Sequence, residues 1–515
     1  MMTRLAFLAR RITPAQRDIA LTYVAQAWVA VMGIAFVPVY IRYLGIESYG
    51  VIGLFATLQA ILVILDLGMT QTLLREMSRF VGGERDVVGI RDLLRSVEVA
   101  AFAMAALMAG GLWAASDWLA ESWFRTQSVS TPELARALSV MSVLVALRFV
   151  EGIFRGAIQG LDRQLLLNLL NALFATLRAA GAVAVLAYVS RSLDGFFAWQ
   201  ALVSLITTAA FAAATYASLP RGERPGRFSY PALVSIWRFA AGMLVISVLA
   251  LLLTQVDKLL LSRLLTLTDY GYYMLATVVA GSLGLLIGPI FQILTPRLSR
   301  LHAAGDEAAF SGLYHASAQL VSVVAGAAAC VLIAFADVLL SAWMGDPALA
   351  ARTAPLLQVL ALGNLLNMLV WTPYQAQLAY RWTGLMVRIN LVAVLLIVPL
   401  LLWVVPHFGM IGAAWVWVAL NAGYIIVAVQ MMHRRILRGE ELRWYVQDVG
   451  VPLACAAAAA MALRWLLAPL GNDTIGQIAS LVFASALTLA VAVAVAPLVR
   501  EQALRLLFGP SQRSI

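Results

Sequence analysis

Arg148, Glu151, Arg155, Gln159 and Asp162 recur three and four residues apart inside one apolar run, so a helix would put them on one face. Arg178 falls near the centre of the next run, after Asn168 and Asn171. A polar stripe of this length cannot face lipid; it lines a cavity or packs on another polar face. Two chemistries fit. One is a closed salt-bridge network that fixes helix register. The other is an anion site, because arginines outnumber carboxylates in this group. A guanidinium stays charged, and its planar fork matches phosphate oxygens. Arg148, Arg155 and Arg178 are therefore the candidate holders of a diphosphate or an acidic sugar. Glu151 would orient Arg148 and Arg155, with Gln159 beside them. Gly152, Gly156 and Gly160 lie on the neighbouring face, where they would allow close helix packing.

A second charged group is Asp257-Lys258, in the stretch Thr254 to Arg263. Lys258 is the only lysine in the chain. A charge in hydrocarbon costs roughly 2.5–3.5 kcal/mol on insertion scales, so it marks a functional or pairing site by default. The alternative is that Lys258 snorkels to the interface from the end of its helix. Asp257 is then the candidate ion- or proton-coupled switch, with Lys258 as its partner or as an interfacial anchor. Asp66, in Asp66-Leu67-Gly68, is a further acid near a span end. It reads either as an interfacial helix-end carboxylate or as a coupling site.

The chain also repeats itself. Arg42, Tyr49-Gly50, Gln71 and Ser78-Arg79 match Arg263, Tyr270-Gly271, Gln292 and Ser299-Arg300 at one offset, 263 − 42 = 221. Internal repeats of this kind build many transporters. Arg42 and Arg263, with Tyr49, Gly50, Tyr270 and Gly271, would form a repeat-related outer rim.

Composition sets the class. Of 515 residues, 62% are hydrophobic and 12% charged, and mean hydropathy is +0.88. The chain reads as an all-α polytopic membrane protein. A net charge of +10 would suggest nucleic acid in a soluble protein; here it reflects arginines in cytoplasmic loops. Cys330 and Cys455 sit in apolar runs with no disulfide or metal spacing. About fourteen apolar runs are long enough to span, from 19–41 and 48–70 to 447–467 and 475–497.

Arginines concentrate in alternate gaps: Arg75, Arg79, Arg85 and Arg91, then Arg221, Arg224 and Arg227, then Arg434, Arg435, Arg438 and Arg443. The positive-inside rule makes those gaps, and both termini, cytoplasmic. The leading Arg4, Arg10, Arg11 and Arg17 read as a cytoplasmic amphipathic lead-in, and Arg500, Arg505 and Arg513 close the tail. The offset covers six helices, so the two copies run parallel, related by a pseudo-two-fold. The expected organisation is an N-terminal lobe over 1–218, a linker over 219–233 and a second six-helix lobe over 234–432. Two C-terminal helices follow in 433–515. The Pro- and Gly-rich stretch Pro220 to Pro231 is the natural hinge.

Enzyme motifs are absent: there is no Gly-rich phosphate loop, no His-Glu-x-x-His and no paired-aspartate metal motif. No catalytic residue, metal or cofactor is expected. His302, His315, His407 and His433 fall at span ends or in loops, and Arg464, near the outer end of its span, would snorkel. Asn364, Asn367, Gln375, Asn390 and Asn421 serve equally as interhelical hydrogen bonds or sugar contacts.

Arg42-Tyr-Leu-Gly45, Tyr49-Gly50 and Asp66-Leu-Gly68 resemble the amino-terminal signature of the polysaccharide exporter (O-antigen flippase) family. Gln255-Val-Asp257-Lys258 and Tyr270-Gly271-Tyr272-Tyr273 resemble its seventh-helix signature. The resemblance implies the fold of the multidrug/oligosaccharidyl-lipid/polysaccharide superfamily, two six-helix lobes around a central cavity. It implies flipping of undecaprenyl-diphosphate-linked oligosaccharide across a bacterial inner membrane by alternating access. Membrane lipids, polysaccharide polymerase and glycosyltransferases are the implied partners, and nucleic acid is not. The sequence departs from the family pattern at Thr266, which stands opposite Gly45 in the repeat. Three alternatives stand beside this reading. A multidrug/cation antiporter would want an acidic cavity. A lipid II flippase would want arginines in the first helix, and 19–41 has none. A membrane polymerase would want a large outer loop.

Overall fold

A computed structural model describes residues 14–62, 66, 68–231, 234, 248, 252, 254–382, 384–467 and 473–508. These are helical almost throughout; the one extended pairing among them is an isolated bridge between Arg125 and Thr266. The chain forms two compact units, Met1–Gly271 and Tyr272–Ile515.

The first unit holds α1 (Pro14–Ala35), α2 (Val37–Leu62), α3 (Met69–Val81), α4 (Val87–Ala114), α5 (Thr131–Gly160), α6 (Gln164–Tyr188) and α7 (Leu193–Ser218). Polar side chains set several starts: the Asp86 carboxylate accepts from Gly89 N before α4, and Ser192 accepts from Gly195 N before α7. The centre is α5. On one side Leu73, Leu93, Val97, Ile153 and Ala157 join α3, α4 and α5; on another Val150, Phe154, Phe174, Val203 and Phe211 join α5, α6 and α7. The expected glycine packing is present. A Cβ on Gly156 would lie 2.7 Å from Thr70 Cγ2, and one on Gly160 2.3 Å from the Leu74 carbonyl oxygen, so α3 sits backbone-close to α5.

The second unit continues with α8 (Leu267–Gly281), whose first turns belong to the first unit, then α9 (Leu283–Ala303), α10 (Glu307–Ala334) and α11 (Ala336–Met344). It ends with α12 (Pro347–Ala379), α13 (Gly384–Gly423), α14 (Val451–Leu467), α15 (Thr474–Val495) and α16 (Pro497–Phe508). The last helices are not detached: Val323, Ala327, Ala456 and Ala492 pack together, as do Phe335, Ala460, Leu463 and Ala484, clamping α14 and α15 to α10.

Eleven helical stretches among the described residues are long and apolar enough to cross a membrane. Two of them, Leu21–Ile61 and Gly384–His433, have 41 and 50 residues. At 1.5 Å per residue each is about twice the roughly 30 Å hydrocarbon thickness. Each is broken by a glycine at positive φ, Gly45 (83°) and Gly409 (60°), so each reads as two crossings. The apolar runs over 134–160, which carries the polar stripe, and over 447–467 both fall on helices of spanning length, Thr131–Gly160 and Glu441–Leu467. The seventh run, 234–261, lies mostly outside the described residues, as do Arg4, Arg10, Arg11 and Arg513. Large apolar side chains stand outward, among them Leu107, Leu169, Leu395 and Trp465, as a lipid-facing surface requires.

The segment after α7 is docked on α4. Asp92 receives Arg224 Nη1 at 2.9 Å and Arg227 N at 2.7 Å, Ser96 Oγ receives Ser229 N at 2.8 Å, and Arg91 Nη1 donates to the Pro220 carbonyl at 3.0 Å. Gly226 is required there, since a Cβ would fall 2.4 Å from the Arg91 carbonyl oxygen.

Candidate functional site

Three arginines converge on one carboxylate. Glu151, on α5, is 2% exposed; Arg178 reaches it from α6 at 2.8 Å, Arg155 from one turn later on α5 at 3.5 Å, and Arg148 from one turn earlier at 3.9 Å. Helical spacing puts 148, 151 and 155 on one face, and α6 supplies the fourth member across the interface. Three guanidiniums against one carboxylate leave a local charge of +2. The Nε atoms of Arg148 and Arg178 are buried without a hydrogen-bond partner, so the cluster holds donors that Glu151 does not satisfy. Arg155 is 43% exposed and lies over the Phe211 ring at 5.9 Å, which leaves one side of the cluster open. An unsatisfied, net-positive, half-open group of planar donors is what a polyanionic ligand completes.

Glu151 contacts all three arginines, and its shortest contact is to Arg178 on the other helix rather than to the two arginines of its own. Gln159 is exposed and stands apart from the group, as does Asp162, which sits at φ 57° where the chain turns after α5. Asn168 also points elsewhere, donating to Thr22 Oγ1 at 2.8 Å to join α6 to α1.

Asp66 has a local task. Its carboxylate accepts from Thr70 N at 3.1 Å and Thr70 Oγ1 at 3.0 Å, before the left-handed Gly68 starts α3. Thr70 is the residue that Gly156 faces, so Asp66 fixes the α3–α5 contact that lies under the arginine-bearing helix. Asp257 and Lys258 lie in a helical stretch, 254–264. Lys258 Nζ donates to Asp257 Oδ1 at 3.2 Å and to the Thr254 carbonyl at 2.6 Å, with the two side chains 17% and 14% exposed. They form a pair shielded from solvent.

The repeat-related residues meet one another. A Cβ on Gly271 would lie 2.1 Å from the Ile46 carbonyl oxygen, and one on Gly50 2.6 Å from that of Leu267, so the two Tyr-Gly steps cross backbone to backbone. Tyr49 and Tyr270 are buried beside them, Tyr270 OH lying 3.2 Å from Thr57 Oγ1. Arg42 is exposed, and Arg263 stacks over Trp123 at 5.0 Å. The Thr266 departure has a physical reason. Thr266 Oγ1 donates to Asp269 Oδ2 at 2.9 Å and accepts from Asp269 N at 3.2 Å, a reciprocal cap that starts α8, where the first copy breaks its helix with Gly45 at positive φ.

Several buried polar groups carry no short-range sequence signal. Glu47, between Gly45 and Tyr49, accepts from Gln127 N and Ser128 N at 2.7 Å and from Ser128 Oγ, pinning the loop before α5. In the second unit His315 and His433 are fully buried rather than interfacial. His315 Nδ1 contacts Asp448, which also accepts from Gln319 Nε2 at 2.9 Å, while His433 Nε2 lies 3.2 Å from Tyr314 OH. Arg464 is paired with Asp337 at 2.6 Å instead of snorkelling alone. The amides of this unit bond between helices: Asn367 to Asn421 at 2.8 Å, Trp417 to Asn364 at 2.9 Å, Tyr424 to Asn390 at 3.0 Å and Thr295 to Gln375 at 2.9 Å. No group of histidines, cysteines and acids among the described residues could hold a metal ion.

The chain matches known proteins along most of its length. A curated relative, a putative O-antigen transporter of Shigella flexneri, is 20% identical over 395 residues, covering 77% of this chain and 91% of the relative. A lipid II flippase, MurJ in an inward closed conformation, superposes with a TM-score of 0.65 at 14% identity, covering 95% of this chain and 99% of the flippase. An inward-facing multidrug resistance transporter of the MATE family superposes with a TM-score of 0.66 at 13% identity, covering 79% and 94%. Both structures share the fold of the multidrug/oligosaccharidyl-lipid/polysaccharide (MOP) superfamily. The family model described as polysaccharide biosynthesis protein matches residues 15–302, more than half of the chain and all of the arginine cluster, and the chain therefore belongs to that family and has the fold these structures share.

Proposed function

We propose that this protein flips a lipid-linked oligosaccharide, carried on undecaprenyl diphosphate, across a bacterial inner membrane, and that Arg148, Arg155 and Arg178 hold its diphosphate or an acidic sugar. The observation that carries this is the +2 cluster around Glu151, with two buried guanidinium Nε atoms left without partners. Diphosphate brings the complementary charge, and its oxygens match the planar fork of the exposed Arg155. The same charge disfavours an organic cation, the ligand class a multidrug antiporter would take. The relative's printed name, an O-antigen transporter, supports the same substrate class.

The transport cycle on this reading is alternating access between a lobe over 1–218 and a lobe over 234–432, with 433–515 as the appended helices and both termini cytoplasmic. Asp257 is the coupling switch and Lys258 its counter-charge. Asp257→Asn should then leave Lys258 without an anion beside it and flatten the dependence of transport on pH and sodium. Wild-type dependence on both ions in that variant would place coupling elsewhere.

The reading as a whole is tested in cells depleted of this protein, by extracting lipid-linked oligosaccharide and assaying which leaflet exposes it. Accumulation confined to the cytoplasmic leaflet, reversed by re-expression, is the expected result, and mass analysis then identifies the glycan. Unchanged amount and sidedness would refute the reading.

A further inference from the structure

A second candidate site lies within the second unit, on helices other than those that carry the arginine cluster. A cavity of 470 Å³ runs between the first half of α13 and the stretch that returns after Gly409. Its walls follow helical spacing on both sides: Leu385, Arg388, Ile389, Val392, Ala393, Leu396, Ile397 and Leu400 face Val416 to Met431. Ala393, Ala419 and Gly423 are too small to close the gap between the two faces. Past Gly423 the helix widens into a π-helical turn, Tyr424–Val429, two of whose residues line the cavity. Widened turns of this sort recur at functional sites.

The cavity has one polar end. Arg388 lines it, Trp382 closes that end, and Arg435 lies over the Trp382 ring at 4.4 Å. Tyr424 turns its hydroxyl to Asn390, so apart from Arg388 the walls are apolar in effect. Val392, Leu396, Val427 and Met431 are 54%, 64%, 48% and 44% exposed, which opens the groove sideways to the surroundings. Arginine placement puts the Arg388 end at the cytoplasmic face. From Arg388 to Leu400 the groove runs twelve residues, about 18 Å, close to the depth of one leaflet of a roughly 30 Å core.

We propose that this groove seats one acyl chain of an acidic glycerophospholipid of the cytoplasmic leaflet, with the lipid phosphate on Arg388. Length and charge select the occupant. A chain of ordinary membrane length fills a one-leaflet groove, whereas a long polyprenyl chain overruns it. A headgroup with net negative charge is favoured over a zwitterionic one by the arginines at the mouth.

Native mass spectrometry of the full chain tests this, with delipidated protein offered phosphatidylglycerol, phosphatidylcholine of the same chains, or undecaprenyl phosphate. Wild type should retain phosphatidylglycerol about fivefold better than phosphatidylcholine: both offer a phosphate to Arg388, but the choline cation is repelled by the arginines at the mouth, an effect of about 1 kcal/mol. Arg388→Gln, at an exposed position, should erase that preference. Gly423→Leu should lower retention of both phospholipids, because a Cβ there meets nothing within 4 Å and the added side chain fills the groove without a backbone clash. Equal retention of the two phospholipids by wild type would overturn the proposal, as would undiminished retention by Gly423→Leu. Displacement of phosphatidylglycerol by undecaprenyl phosphate at equal concentration would show that the occupant is the polyprenyl carrier instead.

Discussion

Glu151→Ala is expected to destabilise the protein by about 3–5 kcal/mol, the usual cost of removing one partner from a buried ion pair. Among the described residues Glu151 is the single carboxylate in contact with three guanidiniums, and its side chain is 2% exposed. Without it the α5–α6 interface would hold three like charges, two of them on side chains less than a quarter exposed. Thermal melting of the purified protein and its steady-state membrane level both report the loss. Glu151→Gln should be milder, because the amide oxygen still accepts from Arg178. Adding Arg178→Gln to Glu151→Ala should recover part of the stability by removing one of the stranded charges. Wild-type melting of Glu151→Ala would mean that the arginines are solvated independently and that Glu151 does not organise them.

The second large effect is on transport. Arg178→Gln should lower export of surface polysaccharide by about 10- to 100-fold, since a hydrogen bond to a charged group is worth about 1.5–3 kcal/mol and each 1.4 kcal/mol is a factor of ten. Protein level should stay near wild type. Glu151 keeps Arg155 at 3.5 Å and Arg148 at 3.9 Å, so no carboxylate is stranded when Arg178 is neutralised. Arg178→Lys should fall between, because an ammonium keeps the charge and loses the fork. The pairing of these two substitutions separates the roles: Glu151 acts mainly on stability and Arg178 mainly on transport. A purely structural salt-bridge network would tie the two readouts together. Normal surface polysaccharide at normal protein level in both Arg148→Ala and Arg178→Gln would eliminate the cationic site.

Much of the site was legible because helices convert spacing into geometry. Arg148, Glu151 and Arg155 had to share a face once their run was helical, and the charge surplus followed from counting side chains. The small residues at 152, 156 and 160 announced the close approach of another helix without saying which one. Gln159 obeyed the same spacing and still stands outside the cluster. A stripe that continues for three turns turns slowly around the helix, and only the neighbouring helices decide where along it the polar environment ends. Asp66 illustrates the same limit: its position near a span end was readable, but its bond to Thr70 depends on the turn at Gly68.

Composition and periodicity were enough for the membrane class, the helical architecture, the positions of nearly all the described helices and the internal offset of 221 (263 − 42) that brings Gly50 and Gly271 into register. Each of these rests on local composition or on a periodicity that survives whatever the helices pack against. Tertiary structure alone decided that Arg178 is the closest partner of Glu151, that His315 finds Asp448 across 133 residues, and that Gly423 borders a groove rather than a packed interface. Those outcomes depend on which helices become neighbours and on the shapes they leave between them, a long-range property that helical periodicity does not encode.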